Sequence, residues 1–504
     1  MEEQPPIPAS STAIPQERYG FPKPDGYSLS YWLQGVQGDP LLNHRTTPEV
    51  PPSADIVIIG SGITGTSVAR HCLTTWPEKS IVVLEAREFC SGATGRNAGH
   101  CKPDQFRGFK RYETAFGTEQ ALKILQNEGQ TWSDLVQYVR ENDVDCDLWV
   151  GNTLDVPVTP EAAVIAKDVY DRFKAAGGKI DHIEVTPEPA EAAKVSRIKD
   201  AKACYGWPAS TLQPWKLTAH IMRANLQKGV NLQTRTKVTQ VRRSALNPEK
   251  WVVVSERGDI ECSQVVHATN AYSSALEPSL RGLVRPTPHM CNKVVPPVPF
   301  AGSQRLQNSY GVLLSHGVLF SINPRSSSDG MVMFGGSNPG QQKFLEWLEA
   351  HPERCVDDSM LGFESVTEAV KEFAGSQFPG WKDAGERYDF SWSGIIAQAS
   401  LAPANSADSV PFVGELPGLP GQWVCAGHSG HTRVSQADEW EILGRNSTAG
   451  RLPDHPGTDG AVEEVTKYTV RKRGCYLDGY VVFTFMQSSV QEEWVSLSSW
   501  LRRG

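Results

Sequence analysis

The sequence predicts an α/β fold in which a parallel sheet is joined to a second domain built on an antiparallel sheet. Apolar runs at residues 56–59 and 81–84 are long enough for buried strands of a parallel sheet, and an amphipathic helix pattern lies between them. At 504 residues the chain exceeds one typical domain, so two domains are expected. The strands of the second domain are predicted at residues 293–298, 311–315, 318–322 and 331–334.

A glycine motif follows the first apolar run directly. Gly60, Gly62 and Gly65 form the pattern GxGxxG, which suits a tight turn, the close approach of a pyrophosphate and contact between helix and strand. The helix that follows offers N–H groups and a positive dipole end to phosphates. Glu85 ends the second run, where its carboxylate can accept hydrogen bonds from ribose hydroxyls. Because all these parts occur in order, the sequence predicts a dinucleotide site, with an ordinary βαβ unit as the alternative.

Two further motifs are rich in small residues: SGATGRNAGH, from Ser91 to His100, and GHSGH, which begins at Gly427. A loop of small residues lets the backbone pass close to a flat ring. Together with GxGxxG, these motifs resemble the FAD-dependent oxidoreductases of the D-amino-acid oxidase family, which include glycine, sarcosine and amine oxidases. The resemblance is greatest to the fungal branch and extends over residues 30–431. It implies a Rossmann-like FAD-binding domain and an antiparallel-sheet substrate domain.

The resemblance implies which residues contact FAD. Glu85 would hold the adenosine ribose, the backbone of Val238 would contact the adenine, and N–H groups of the GHSGH turn would face the pyrimidine edge of the flavin. Arg96 and Asn97 would fix the shape of their loop and the FAD phosphates rather than touch the substrate. The predicted cofactor-binding residues are Gly60, Gly62, Ile63, Thr64, Gly65, Glu85, Ala86, Arg87, Ser91, Gly92, Ala93, Thr94, Arg96, Asn97, Ala98, Gly99, Val238, Thr269, Asn270, Gly427, Ser429, Gly430 and His431.

The resemblance also implies that both domains are discontinuous. Helix patterns occur at residues 118–139 and 357–374, and alternation over 230–238 predicts one strand that returns to the nucleotide domain. The predicted organisation is an extended N-terminal arm at 1–50, an FAD-binding domain at 51–110, 205–290 and 390–431, a substrate domain at 111–204 and 291–389, and a divergent tail at 432–504.

The sequence departs from the family after His431. Relatives continue with glycine and an apolar, small-residue helix, whereas this chain continues with TRVSQADE and is polar to about residue 460. The departure looks like a change of reading frame or an unspliced segment. We therefore expect the tail to limit FAD occupancy and activity.

The resemblance implies oxidation of the C–N bond of a small amine or amino acid, with hydride transfer to flavin N5 and reoxidation by O₂. His100 could face the ring or substrate, although a structural histidine is the alternative. Lys293 could supply positive charge for oxygen reduction, or it could be a solvent-facing strand lysine. Arg325 could pair with a substrate carboxylate, although its sequence context reads first as a turn.

Three competing functions remain open. A nicotinamide enzyme would share the GxGxxG motif but would have no use for the other two motifs. An FAD oxidoreductase of specialised metabolism with a non-amine substrate would share every motif and differ in its pocket. A catalytically impaired flavoprotein would share the first 431 residues and fail in the tail. The residues do not decide between these possibilities, nor whether the flavin is covalently attached.

The composition limits the classes of binding partner that the sequence predicts. Lys and Arg number 49 against 57 Asp and Glu, and this net charge of −8 argues against nucleic acid or an anionic membrane as the main partner. The ten cysteines form no CxxC pair, so neither a zinc site nor any other metal site is predicted. There is no apolar run long enough for a membrane span, and the acidic, Pro-rich start is unlike a signal peptide. A cytoplasmic protein with a small-molecule substrate is expected.

Overall fold

The computed structural model describes residues 20–399 and 411–428, which form two sheets flanked by helices. The strands are β1 (Ser53–Ile59), β2 (Ile81–Leu84), β3 (His100–Cys101), β4 (Trp149–Pro157), β5 (Glu184–Thr186), β6 (Cys204–Thr211), β7 (Asn231–Gln233), β8 (Val238–Arg243), β9 (Trp251–Ser255), β10 (Gly258–His267), β11 (Val284–Val295), β12 (Ser309–Ser315), β13 (Val318–Asn323), β14 (Val332–Gly335), β15 (Arg387–Ala399), β16 (Phe412–Glu415) and β17 (Gln422–Ala426). The helices are α1 (Tyr31–Gln34), α2 (Ile63–Thr75), α3 (Phe109–Phe116), α4 (Thr118–Glu141), α5 (Pro160–Ala175), α6 (Pro189–Ser196), α7 (Pro214–Gln227), α8 (Ser273–Leu276), α9 (Pro339–Ala350) and α10 (Glu364–Gln377). Within these two ranges, no helix has both the length and the apolar character needed to cross a bilayer.

The first sheet is parallel at its centre. Its main path is β16–β17–β10–β1–β2–β7, and β8 and β9 join it beside β10. Strand β1 lies parallel to both β2 and β10, and its residues Val57 and Ile58 are fully buried. Because α2 connects β1 to β2, the GxGxxG turn lies at the carboxyl end of the central strand. The predicted parallel sheet is confirmed.

The second sheet has nine strands in the order β15–β11–β14–β13–β12–β4–β6–β3, with β5 beside β6. Among these described strands, every pair is antiparallel except β4 with β12. Helix α10 packs on one face, where the rings of Phe320 and Phe373 stack with centroids 4.1 Å apart. The predicted fold class, an α/β nucleotide-binding domain with a second antiparallel-sheet domain, is therefore confirmed.

Several predicted boundaries need correction. Strands β6 and β15 belong to the second sheet, although the sequence assigns 205–290 and 390–431 to the FAD-binding domain. The single strand predicted over 230–238 is two strands, because Arg235 between them has a positive φ of 52° that no strand residue adopts. The helix predicted over 357–374 begins only at Glu364.

The predicted arm at residues 1–50 is not extended where the structure describes its later part. Helix α1 begins after its N-cap Ser30, and Trp32 is only 1% exposed. Trp32 Nε1 donates a hydrogen bond of 2.6 Å to the carbonyl of Asn97. An extended path would expose this indole to water, so burial of its apolar area favours the packed conformation.

Candidate functional site

The turn between β1 and α2 depends on its glycines. Gly60 has a φ of +109°, and a Cβ at this position would lie 2.5 Å from the carbonyl oxygen of Ala268. A Cβ on Gly65 would overlap the carbonyl oxygen of Gly60, so glycine is required for α2 to lie this close to β1. The N-cap Gly62 makes no side-chain capping bond, and the first turn of α2 has no acidic residue. The helix N-terminus is therefore suited to an anion.

Glu85 lies at the end of β2 beside this turn. Its Oε2 accepts hydrogen bonds from the N–H of Ser61 (3.1 Å) and from Ser61 Oγ (2.7 Å). Its Oε1 accepts one from the N–H of Arg87 (3.0 Å). These bonds orient the carboxylate, which lines the cavity described below.

We expect Glu85→Ala to weaken FAD binding about 10- to 150-fold, because a hydrogen bond to a charged group contributes about 1.5–3 kcal/mol. Titrating the apoprotein with FAD and following flavin fluorescence measures the change. Glu261→Ala is the control, since Glu261 belongs to the same sheet but pairs with Lys250 outside the cavity. Wild-type affinity in Glu85→Ala would exclude a role of this carboxylate in binding.

The loop from Ser91 to Gly99 is shaped by its own side chains. Asn97 Nδ2 donates to the carbonyl of Thr94 (3.0 Å), and Asn97 Oδ1 accepts the N–H of Gly99 (2.8 Å). Arg96 Nε donates to the carbonyl of Ser91 (2.7 Å). The structure therefore agrees with the prediction that Arg96 and Asn97 fix the shape of this loop.

Asn270 joins the ends of β10 and β17. Its Oδ1 accepts the N–H groups of Gly427 (3.2 Å) and His428 (3.4 Å). His428 Nε2 in turn lies 3.4 Å from Thr64 Oγ1 at the start of α2. The GHSGH turn thus starts beside the nucleotide motif. The predicted contacts Ser429, Gly430 and His431, like the tail at 432–504, lie outside the described residues.

A cavity of about 600 Å³ runs between these segments. Four predicted contacts are not among the residues that line it: Gly65, Ser91, Gly99 and Gly427. The predicted residues that line it are Gly60, Gly62, Ile63, Thr64, Glu85, Ala86, Arg87, Gly92, Ala93, Thr94, Arg96, Asn97, Ala98, Val238, Thr269 and Asn270.

One end of the cavity is lined by His100, Lys102 and Arg107, which follow the loop in sequence. Arg107 Nη1 donates to Asp155 Oδ2 (2.8 Å), and Lys102 Nζ lies 3.8 Å from Asp155 Oδ1. The Asp155 side chain is 1% exposed, whereas those of Lys102 and Arg107 are 14% and 15% exposed. Within residues 20–399 and 411–428, Asp155 is the sole hydrogen-bond partner of Arg107. Nε and Nη2 of this guanidinium therefore remain available to a ligand.

Two more carboxylates, Asp104 and Glu128, line the cavity beside these cations, and each accepts one backbone N–H. Asp104 Oδ2 accepts the N–H of Gly108 (2.7 Å), and Glu128 Oε2 accepts the N–H of Asp104 (2.9 Å). Glu128 is the polar interruption in the helix pattern predicted over 118–139, and it is buried. These bonds close the turn before α3, and Asp104 Oδ1 is buried without a hydrogen-bond partner among the described residues, so this end of the cavity presents a carboxylate acceptor as well as cationic donors.

Burial sets the protonation states of the side chains at this end of the cavity. It lowers the pKa of His100 to about 3, with a further effect of the Lys102 charge, so the imidazole is neutral near pH 7. Within the part of the chain that the structure describes, both ring nitrogens of His100 are buried without a partner. Burial also lowers the pKa of Lys102 to about 8, although Asp155 opposes this change. His100 is therefore poised as a neutral donor or acceptor, beside two cations.

Two of the predicted candidates lie elsewhere. Lys293 Nζ lies 3.7 Å from Asp389 Oδ1 and does not line the cavity, so it cannot supply charge beside a ligand there. Arg325 donates to Asp147 (3.1 Å) and Asp329 (2.8 Å) and is likewise outside the cavity lining. The turn interpretation of Arg325 is correct.

The sequence interpretation missed Lys102 and Arg107. Both lie in the stretch CKPDQFR directly after the loop, and this position next to a predicted cofactor-binding motif is the signal that could have identified them. It also missed Trp132 and Trp207, whose rings line the same end of the cavity. Trp132 Nε1 donates to Ser210 Oγ (3.1 Å), which fixes one of these rings.

The residues present fit FAD. The glycine turn leaves room where side chains would block a pyrophosphate, and α2 directs its N-terminus there. Glu85 supplies an oriented acceptor for hydroxyl groups. The loop of small residues offers a flat ring an unobstructed wall, since a Cβ on Gly92 would have nothing within 4 Å.

Comparison with known proteins finds a matching family model and two sequence relatives. The family model for DAO, FAD dependent oxidoreductase, matches residues 55–432. Gamma-glutamylputrescine oxidoreductase of Escherichia coli (strain K12) is 23% identical over 229 residues, which are 45% of this chain and 52% of that protein. One subunit of the anaerobic glycerol-3-phosphate dehydrogenase of Haemophilus influenzae is 27% identical over 186 residues, 37% of this chain and 30% of that protein. The chain thus spans about half the length of the first relative and less of the second.

The fold has counterparts among solved structures. Glycine oxidase from Geobacillus kaustophilus matches with a TM-score of 0.56 and 22% identity, over 75% of this chain and 90% of that one. This likeness concerns the fold alone, whereas the family match extends over most of the sequence. The chain belongs to the DAO family of FAD-dependent oxidoreductases.

Proposed function

We propose that this protein oxidises the C–N bond of a small amine that carries a carboxylate, such as an amino acid. The observation that carries this proposal is the end of the cavity lined by Lys102 and Arg107, beside the loop from Ser91 to Gly99, here called the flavin loop. Arg107 Nε and Nη2 have no hydrogen-bond partner among the described residues. A guanidinium with two free N–H positions suits a carboxylate, which it can bind through parallel hydrogen bonds.

FAD, held by the GxGxxG turn, Glu85 and the loop from Ser91 to Gly99, would supply a hydride acceptor for the carbon next to the nitrogen and a route for the electrons to O₂. The chain's own residues bind and orient the substrate. Lys102 and Arg107 would fix the carboxylate, and Trp132 and Trp207 would exclude water from its carbon skeleton. His100, which is neutral at pH 7, would place no further positive charge beside the amine.

The relatives support an amine substrate without deciding it. Gamma-glutamylputrescine and glycine, in the names of two relatives, are both nitrogen compounds that carry a carboxylate. The second candidate is a hydroxyl compound that carries a phosphate. The same two cations suit a phosphate, and the other named relative is part of a glycerol-3-phosphate dehydrogenase.

Anaerobic reduction of the bound flavin distinguishes these functions. We expect an amino acid to bleach the absorbance of the holoprotein and air to restore it. The corresponding amine without a carboxylate should bleach it far more slowly at equal concentration. Reduction by glycerol phosphates but by no amine would establish the second candidate. A flavin that none of these compounds reduces would contradict both and indicate an impaired enzyme.

A further inference from the structure

A buried ionic cluster lies behind the flavin loop, apart from the polar end of the cavity. Arg87 Nη1 donates to both carboxylate oxygens of Asp358 (3.0 and 3.1 Å), and Arg96 Nε lies 3.4 Å from Asp358 Oδ2. All three side chains are at most 3% exposed. A carboxylate that pairs with two guanidiniums joins the end of β2, the flavin loop and the segment before α10.

The two cations are not equally compensated. Burial is the largest single effect on Arg87 and opposes its charge, but Asp358, Tyr272 and Glu85 together outweigh burial and raise the pKa of Arg87. For Arg96 burial prevails and lowers the pKa. Within the described ranges, Arg96 Nη2 is buried without a hydrogen-bond partner. The cluster therefore keeps a surplus positive charge that needs another stabilising neighbour.

The segment at residues 20–28, here called the strap, supplies that neighbour. The Tyr27 ring lies over both guanidiniums, with its centroid 4.4 Å from Arg87 Cζ and 5.5 Å from Arg96 Cζ. Ser28 donates twice to the carbonyl of Asp358, from its N–H (2.9 Å) and its Oγ (2.7 Å). The aromatic face attracts the surplus charge, and these bonds fix the strap to the same residue.

The strap crosses the cofactor cavity between two attachments. At its start Gly20 packs against Ala275 of α8, where an added Cβ would lie 3.3 Å from Ala275 Cβ. Phe21 and Pro22 then line the cavity. At its end Tyr27 contacts the ionic cluster. Through Phe21 and Pro22, the strap therefore forms part of the wall of the cavity.

We propose that Asp358 and Tyr27 are positioning residues that hold the strap over the cavity and thereby retain FAD. Two residues that follow the strap also contact the flavin loop. Ser30 Oγ donates a hydrogen bond to the carbonyl of Gly95, and Trp32 Nε1 donates one to the carbonyl of Asn97. Releasing the strap would open the cavity without removing any residue of the GxGxxG turn.

The test measures FAD release from the full-length holoprotein, followed by the rise of free-flavin fluorescence after dilution. Tyr27→Leu removes the ring from the two cations and is expected to speed release about tenfold. Tyr27→Phe keeps the ring but removes the hydrogen bond that Tyr27 Oη donates to Glu88; if the ring over the two cations is what holds the strap, release should stay within about threefold of wild type. The matched control is Lys23→Ala, because Lys23 lies in the same segment but pairs with the neighbouring Asp357 (3.5 Å). It should also stay within about threefold.

Asp358→Asn tests the anion itself and should speed release, because Arg87 and Arg96 lose the carboxylate that positions them under the Tyr27 ring, whereas Ser28 keeps its two bonds to the backbone carbonyl of residue 358. Adding Tyr27→Leu to Asp358→Asn should then have little additional effect, because both changes release the same strap. Unfolding of each apoprotein, followed by circular dichroism, shows whether the fold is intact. If Asp358→Asn does not fold, Tyr27→Leu and its two controls decide. Wild-type release in Tyr27→Leu, or equal acceleration in Lys23→Ala, would overturn the proposal.

Discussion

Gly65→Ala is expected to abolish tight FAD binding, with a loss of affinity of about 100-fold or more. A Cβ at this position would overlap the carbonyl oxygen of Gly60 and lie 3.1 Å from its carbonyl carbon. Both atoms are backbone and cannot rotate away, so α2 must move off β1 at a cost of about 1–3 kcal/mol. The same movement displaces the N–H groups that face the phosphates, which adds to the loss. Titration of the apoprotein with FAD measures the affinity.

Gly129→Ala is the matched control for this change. Gly129 lies inside α4, and a Cβ there would have its nearest neighbour, Gln105 Nε2, at an ordinary 3.5 Å. Replacing glycine by alanine within a helix favours folding by about 1 kcal/mol or less, so unfolding should move to a slightly higher temperature. Equal losses of FAD affinity in both variants would show that the geometry of the turn is not what matters.

The nucleotide half of the site could be predicted because its geometry is local. Between Gly60 and Glu85 one turn, one helix and one strand follow each other, and each has its own residue pattern. The loop from Ser91 to Gly99 is local as well, since Arg96 and Asn97 bond to carbonyls only a few residues away. Such contacts are fixed by sequence spacing, which a single sequence displays.

The other features of the fold and site depend on contacts between residues far apart in the sequence or on backbone conformation, and spacing along the chain reveals neither. Asp358 stands 271 residues from Arg87, and the helix pattern predicted over 357–374 hides the loop in which it pairs. Lys293 looks like any strand lysine until Asp389 is seen beside it. Arg235 breaks a regular alternation through its backbone conformation alone, for which the residue type gives no signal.

The polar end of the cavity shows the same difficulty. Arg107 and Asp155 lie 48 residues apart, on either side of α3 and α4. They pair because β4 places Asp155 beside Arg107, which lies in the turn before α3. The polar end of the cavity, where we propose that substrate binds, is therefore read from the structure, whereas the cofactor-binding motifs are read from the sequence.

Arg107→Leu is expected to lower kcat/KM for a carboxylate-bearing substrate about 30-fold or more. The variant loses the two free donors that face the cavity, and truncating one partner of a buried, hydrogen-bonded charge pair costs about 2 kcal/mol or more. The loss should appear in the rate of anaerobic flavin reduction at low substrate concentration. The same amine without its carboxylate should react as slowly with the variant as with wild type, because it never used Arg107.

Lys110→Ala controls for loss of a nearby positive charge. Lys110 lies three residues further on and pairs with Asp168 at the surface, where both side chains are 58% exposed, so its removal should change neither rate. Because Arg107→Leu also leaves Asp155 with only the more distant Lys102, the unfolding midpoint and the flavin spectrum must be compared first. A variant that keeps its flavin and fold yet oxidises the carboxylated substrate at the wild-type rate would show that the carboxylate binds elsewhere. A loss that is equal for both substrates would assign Arg107 a purely structural role.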